Sequence, residues 1–216
     1  MLERAKADGK DTQQNTHSIV LLGDSGAGKS TFMGRLWSLL AKEWKDGRPI
    51  PLLIPLPQLS KPLETAVEEA LEKALHCDWN SFSSEEQQAL RDKEFIFLFD
   101  AFDELGRSDS LYEKNKLGQW KFRLMVVTCR AQYLNEMEEV DWRNCFQVRK
   151  NGRRAGVLEE RYVSSVSKGN VEGYVKAYTA RVRRLGLPVV PGWEEPKTFL
   201  EALEKIPDLY NLIRTP

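Results

Sequence analysis

The sequence has little sulfur and little imidazole: three cysteines and two histidines in 216 residues. Cys77, Cys129 and Cys145 are far apart, odd in number and without the paired spacing of metal ligands, which excludes a disulfide scaffold and a zinc module. They read as buried thiols of a reducing cytosol. His17 and His76 have no partner pattern and are assigned no chemistry. No run approaches the roughly 20 apolar residues that cross a bilayer, and the stretch from Met1 to Lys10 is charged, unlike a signal peptide. An excess of charge is also missing. Thirty-two basic residues face 32 acidic ones, so nothing in the balance argues for nucleic acid or an anionic membrane as an obligatory partner. With no internal repeats and no low-complexity segment, the chain is long enough for one α/β domain with a helical annex, working in the cytoplasm.

What is present is a repeated order of apolar strand and crossover. Ile19-Val20-Leu21-Leu22 opens it, after a polar lead-in over residues 1–17. Phe32, Leu36, Leu39 and Leu40 then recur at helical spacing, with Trp37 and Trp44 adding bulk, and Asp46-Gly47 with Pro49 stop the helix. Ile50 to Leu56 is an apolar run with proline at both ends, which suits a strand toward one side of a sheet. Ser60-Lys61-Pro62-Leu63 opens a helix carrying Val67, Leu71 and Leu75, and Ser83-Ser84-Glu85-Glu86 has the capping pattern of a second. Phe95 to Phe99 and Leu124 to Thr128 are apolar without alternation, as strands of a parallel sheet buried on both faces. This order predicts a mostly parallel, doubly wound α/β sheet. Phe146 to Val163 reads as a hairpin or two late strands joined by a basic turn. From Asn170 onward the chain is mostly helical, broken by Gly186-Leu187-Pro188 and Pro191-Gly192. The expected division is a core over 18–166 and a small helical subdomain over 167–216.

The most specific feature lies directly after the first strand. Gly23-Asp24-Ser25-Gly26-Ala27-Gly28-Lys29-Ser30, followed by Thr31, fits the phosphate-loop pattern GxxxxGK(S/T). Glycines there let successive backbone N–H groups turn inward on an anion, and the helix that follows presents its positive end to the same anion. Lys29 reaches the β- and γ-phosphates, and Ser30 ligates Mg²⁺.

The strand Phe95–Phe99 ends in Asp100-Ala101-Phe102-Asp103-Glu104. A carboxylate at the C-terminal end of a parallel strand stands in the crevice where open α/β sheets bind ligands. Asp100 is therefore expected to hold Mg²⁺ through water, opposite Ser30. Asp103 or Glu104 is expected to orient and deprotonate an attacking water. The next strand ends in Thr128-Cys129-Arg130. Arg130 either reports on the γ-phosphate in cis or forms an ion pair with one of the three carboxylates, and both hold if the nucleotide state changes.

The set GDSGAGKST, FIFLFDAFDEL and LMVVTCR resembles the NACHT branch of the signal-transduction NTPases with numerous domains. In that family the second motif is an apolar strand ending in Asp, a small residue, an apolar residue and an Asp-Glu pair. The tail is similar as well, in Arg161-Tyr162-Val163, Val171-Glu172-Gly173-Tyr174-Val175 and the stretch from Leu209 to Pro216. The resemblance covers Ser18 to Pro216. It implies a P-loop NTPase that holds ADP when closed and opens with ATP and Mg²⁺ to oligomerise and signal, with slow hydrolysis. Its roles carry over to Lys29, Ser30, Asp100, Asp103, Glu104 and Arg130, and to Pro216 as a proline packed near the base. The chain stops before the winged-helix segment and repeat sensor of such proteins, and no effector domain precedes the phosphate loop. It is expected to be a fragment or a degenerate product in which regulated exchange is weakened.

Three other readings compete. Asp103-Glu104-Leu105-Gly106 fits the GTPase pattern DxxG, and Asn115-Lys116-Leu117-Gly118 begins like NKxD, but Gly118 stands where guanine needs a carboxylate. A small-molecule kinase shares the phosphate loop, with Arg181, Arg183 and Arg184 as a lid or, more simply, a solvated helix face. A non-hydrolysing assembly module needs only different affinities for two nucleotide states. The six tryptophans read as core or interface residues.

Overall fold

A computed structural model describes residues 16–106, 109–137, 141–150, 152–163, 168–188 and 195–205. By contact the described residues up to Leu22 and from Lys29 to Tyr162 form one compact unit. Gly23–Gly28 and the described residues from Val163 onward form a second.

In the first unit β1 (His17–Leu22) leads, through the loop, to α1 (Lys29–Lys42) and then to β2 (Ile50–Pro55). After α2 (Ala66–Leu75) and α3 (Ser84–Arg91) come β3 (Phe95–Asp100), the single-turn α4 (Leu111–Lys114), β4 (Phe122–Cys129), and the short α5 (Ala131–Asn135) and α6 (Arg143–Phe146). A two-residue pair, β5 (Arg149–Lys150) and β6 (Arg153–Arg154), precedes β7 (Val157–Tyr162). The main sheet has the order β2-β3-β4-β1-β7, and every pairing in it is parallel. The chain therefore leaves β1, crosses to the far edge at β2, and returns strand by strand to the side of β1. All C-terminal strand ends lie along one edge.

Side-chain alternation divides the core between the two faces. Phe95, Phe97 and Phe99 lie in one cluster with Leu52, Ile54, Met125 and Val127, covered by Val67, Ala70 and Leu71 of α2. Trp120 and Phe122 pack edge-on and tilted against these phenyl rings, at centroid distances of 5.2–6.4 Å. Each buried phenyl ring contributes about 1.5–3 kcal/mol by leaving water. On the opposite face Met33 of α1 meets Leu98 and Val126, flanked by Leu36 and Leu40. Helices thus cover both faces of a parallel sheet.

Local differences from the sequence expectation have physical causes. The stripe of α1 that faces the sheet is Met33, Leu36 and Leu40, while Phe32 and Leu39 are about half exposed. At 100° per residue those two fall on the flanks of the stripe. Trp37 and Trp44 are also exposed, each donating its indole N–H to a backbone carbonyl, of Pro51 and Arg48. Trp79 and Trp120 are buried, whereas Trp193 lies outside the described residues. The helix expected from Ser60 begins only at Ala66, because the Glu69 carboxylate accepts the Ser60 and Lys61 N–H groups and folds the lead-in back. The cap of α3 is as expected: Ser83 and Glu86 form a reciprocal capping box. Beyond α6 the hairpin is confined to β5 and β6. β7 leaves it to pair in parallel with β1, which would otherwise be an open edge.

The entry to β7 turns on Gly156, whose φ is +72°. A Cβ added there would lie 2.3 Å from the Thr16 carbonyl oxygen, which accepts the Val157 N–H at the start of the pairing. Gly156→Ala is expected to destabilise the protein by at least about 2 kcal/mol, since left-handed strain alone costs about 1–2 kcal/mol and the clash adds to it. A melting temperature lower by roughly 4–8 °C would follow. Gly152→Ala has the same sign of φ but open space around it, and thermal denaturation should show the smaller loss there.

The second unit contains α7 (Lys168–Leu185) and α8 (Pro196–Glu204). α7 buries Val171, Val175, Thr179 and Val182 at helical spacing and ends at Gly186, whose φ is +62°. Tyr178 packs against Phe199 of α8, and Arg183 pairs with Glu195 at 2.5 Å. Arg181, Arg183 and Arg184 are exposed, as a solvated face requires. No helix among the described residues is long and apolar enough to cross a membrane.

Candidate functional site

The loop Gly23–Gly28 departs from β1 at Leu22 and enters α1 at Lys29. Gly26 and Gly28 both have φ of +79°, a conformation that side-chain-bearing residues rarely adopt. The Ala27 N–H closes a turn on the Asp24 carbonyl at 3.1 Å. Asp24, Ser25, Gly26 and Gly28 are exposed, and Ala27 is buried. α1 follows with Lys29, Ser30 and Thr31 in its first turn and no acidic side chain there. Its positive end is not neutralised by an acid of its own.

Across the C-terminal edge, Leu22 pairs with Cys129 and Phe99 with Val127. Asp100 and Thr128 thus fall side by side, one residue beyond the last β3–β4 pair. Thr128 is wholly buried and donates its hydroxyl proton to Asp100 Oδ1 at 2.6 Å, while accepting the Ala101 N–H at 2.8 Å. Ala101 is left-handed, with φ of +61° and ψ of +53°, an uncommon conformation for a residue with a Cβ. It turns the chain sharply into the single turn Phe102–Leu105. That turn is anchored by the buried Phe102 ring, edge-on to Phe146 at 4.8 Å and to Tyr133 at 6.4 Å.

Asp103 and Glu104 emerge from this turn into different surroundings. Asp103 is nearly buried, at 6% side-chain exposure, and is held twice by Arg130. The Arg130 backbone N–H donates to Oδ1 at 3.1 Å and Nε to Oδ2 at 2.8 Å. Glu104 is exposed and, among the described residues, its carboxylate has no hydrogen bond or ion pair. Both line a cavity of about 240 Å³ with Arg130, Gln132, Tyr133 and Glu136. The neighbouring Cys129 thiol is pushed up to about 12, by burial first and by the negative charge of Asp103 second. The Lys29 ammonium acts on the same thiol in the opposite direction. Asp103 and Arg130 therefore share one corner of the edge.

Of the residues singled out in the sequence, Lys29 and Ser30 stand in the first turn of α1, and Asp100, Asp103, Glu104 and Arg130 lie at or just past the ends of β3 and β4. The ion pair left open for Arg130 is made with Asp103. Pro216 lies outside the described residues. Thr128 and the cavity residues Tyr133 and Glu136 were not singled out. Asn115 has no access to a base. Its buried amide accepts the Ala66 N–H at 2.8 Å and donates to the Pro62 and Leu111 carbonyls, tying down the start of α2. That removes the guanine-reading role considered for it.

Among the described residues no three carboxylate, imidazole or thiol groups converge into a metal cage. The oxygen donors present, the Ser30 hydroxyl and the Asp100 carboxylate, suit Mg²⁺, which keeps waters and takes its other ligands from phosphate oxygens.

A parallel α/β sheet with a glycine-rich loop running from its first strand into a helix, and acidic and basic residues at the ends of β3 and β4, defines a P-loop NTPase. The NACHT domain family model matches residues 17–139, more than half of the chain, and the chain belongs to that family of nucleotide-binding NTPases of the signalling type. No curated protein matches it.

Proposed function

We propose that this chain is a nucleotide-controlled switch of the cytosol that binds ADP and Mg²⁺-ATP, hydrolyses ATP slowly and couples the nucleotide state to self-association. The loop Gly23–Gly28 and Thr31 cradle the phosphates, Lys29 carries the countercharge, and Ser30 with Asp100 holds Mg²⁺. Glu104 orients the attacking water, and Arg130 senses the γ-phosphate. Pro216 is assigned to the nucleotide's base on the family resemblance alone. Self-association also rests on the family, whose members often oligomerise. Cys77, Cys129 and Cys145 are not joined in disulfides, which favours a reducing compartment.

The observation that carries the switch is the double hold of Arg130 on Asp103. A γ-phosphate competes with Asp103 for the guanidinium and an ADP does not, so the two nucleotides interact differently with one element. Such a difference is what shifts a two-state equilibrium. The partly buried pair resists casual opening, yet a phosphate dianion offers Arg a bidentate alternative.

Mass analysis of the nucleotide released from gently denatured protein tests this, with Lys29→Ala as control. ADP in the wild type and none in the variant is the expected result. GDP would replace this reading with a GTPase, and an empty wild-type protein would overturn a switch that rests with ADP bound.

A further inference from the structure

We infer that Thr128 is a positioning residue for the metal carboxylate, an inference that rests on the proposed role of Asp100. Its hydroxyl has one proton and two acceptor sites. The Ala101 N–H occupies an acceptor site and cannot take the proton, so the proton is committed to Asp100 Oδ1. Thr128 is wholly buried, so no solvent reaches its hydroxyl. At 2.6 Å the contact has the length of a charge-assisted O–H···O⁻ bond. It is the only hydrogen bond of the Asp100 carboxylate among the described residues. Thr128 thus sets which carboxylate oxygen is occupied and leaves the other for the metal's water shell.

The same hydroxyl binds the chain reversal that follows. Ala101 holds a left-handed conformation of the kind that persists only where its surroundings over-determine it. Its N–H ends on Thr128, so one side chain fixes both the carboxylate and the turn that carries Asp103 and Glu104. Outer-shell partners of metal-bound carboxylates act in this way, and their loss typically lowers metal affinity about 10–100-fold.

The test compares the wild type with Thr128→Val, Thr128→Ser and Thr128→Ala. ADP affinity is measured by calorimetry with excess Mg²⁺ and again with EDTA, and Mn²⁺ binding to the ADP complex is followed by electron paramagnetic resonance. Thr128→Val and Thr128→Ala should lower Mn²⁺ affinity about tenfold or more and weaken ADP only when Mg²⁺ is present; Thr128→Ser should retain both. If Val does not fold, the Ser and Ala variants still decide, because both lack the methyl group and differ only in the hydroxyl. Equal Mn²⁺ affinity in Ser and Ala would overturn the inference, as would a loss of ADP affinity that is the same in EDTA. Asp100→Asn separates the two levels: unchanged Mn²⁺ binding there would refute the metal role of Asp100 itself, whereas a loss there with no loss in Thr128→Ala would refute Thr128 alone.

Discussion

Lys29→Ala is expected to lower the affinity for ADP and ATP about 100-fold and to leave the nucleotide-free protein folded. A hydrogen bond to a charged group is worth about 1.5–3 kcal/mol, and each 1.4 kcal/mol is tenfold in affinity. In the proposed site the ammonium spans two phosphates, which puts its loss at the upper end of that range. The fold should hardly notice, because Lys29 stands in the first turn of α1, outside both buried clusters that hold the sheet. Removing a cation from a helix N-terminus is mildly favourable on electrostatic grounds. Calorimetric titration beside a thermal melt separates the two effects. Undiminished binding in a folded Lys29→Ala would remove the phosphate site from this loop.

The second large effect belongs to Glu104. Glu104→Gln should leave nucleotide affinity within about twofold and lower the turnover of bound ATP at least about 100-fold, the usual contribution of a positioned general base. The geometry separates it from its neighbour. Asp103 is nearly buried and engaged at both oxygens by Arg130, whereas Glu104 is exposed at the mouth of the same cavity. Asp103→Asn should therefore act differently, loosening Arg130 and changing the relative affinities for ATP and ADP more than the chemical step. Single-turnover hydrolysis of prebound ATP measures the first effect, and competition between the two nucleotides measures the second. A Glu104→Gln enzyme with wild-type turnover would transfer the base to Asp103 or remove hydrolysis from this edge.

Much of the fold was legible because strands buried on both faces leave a plain mark. Phe95 to Phe99 and Leu124 to Val127 have no polar residue to turn toward water, which is the mark of parallel strands covered by helices on both faces. The prolines of Ile50–Pro55 gave its edge position for an equally local reason, since a proline has no N–H for a second neighbour. What could not be read depends on contacts between distant segments. β7 looks like half of a hairpin because Asn151-Gly152 precedes it, yet its partner is β1, some 140 residues upstream in the register of Val157 with His17. Phe32 and Leu39 are apolar at helical spacing, and only the direction of the sheet shows that Met33 occupies the centre of the buried stripe.

The site divides in the same way. Lys29, Ser30 and Asp100 follow from motifs because backbone curvature and strand ends fix their positions locally. The partner of Arg130 does not. Asp100, Asp103 and Glu104 are equivalent candidates until the left-handed Ala101 reverses the chain and brings Asp103 under the start of α5. Thr128 is less visible still, because a threonine in a strand is the commonplace choice of a β-former. Its significance comes only from the register that sets it beside Asp100.

The central claim is that this edge of the sheet binds an adenine nucleotide with Mg²⁺, and titration of nucleotide-stripped wild-type protein with Mg²⁺-ADP and Mg²⁺-GDP in the calorimeter tests it most directly. Stoichiometric binding of ADP, stronger than that of GDP and weakened when Mg²⁺ is chelated, is the result expected. Preference for GDP, or saturable ADP binding that survives unchanged in Lys29→Ala, would contradict it.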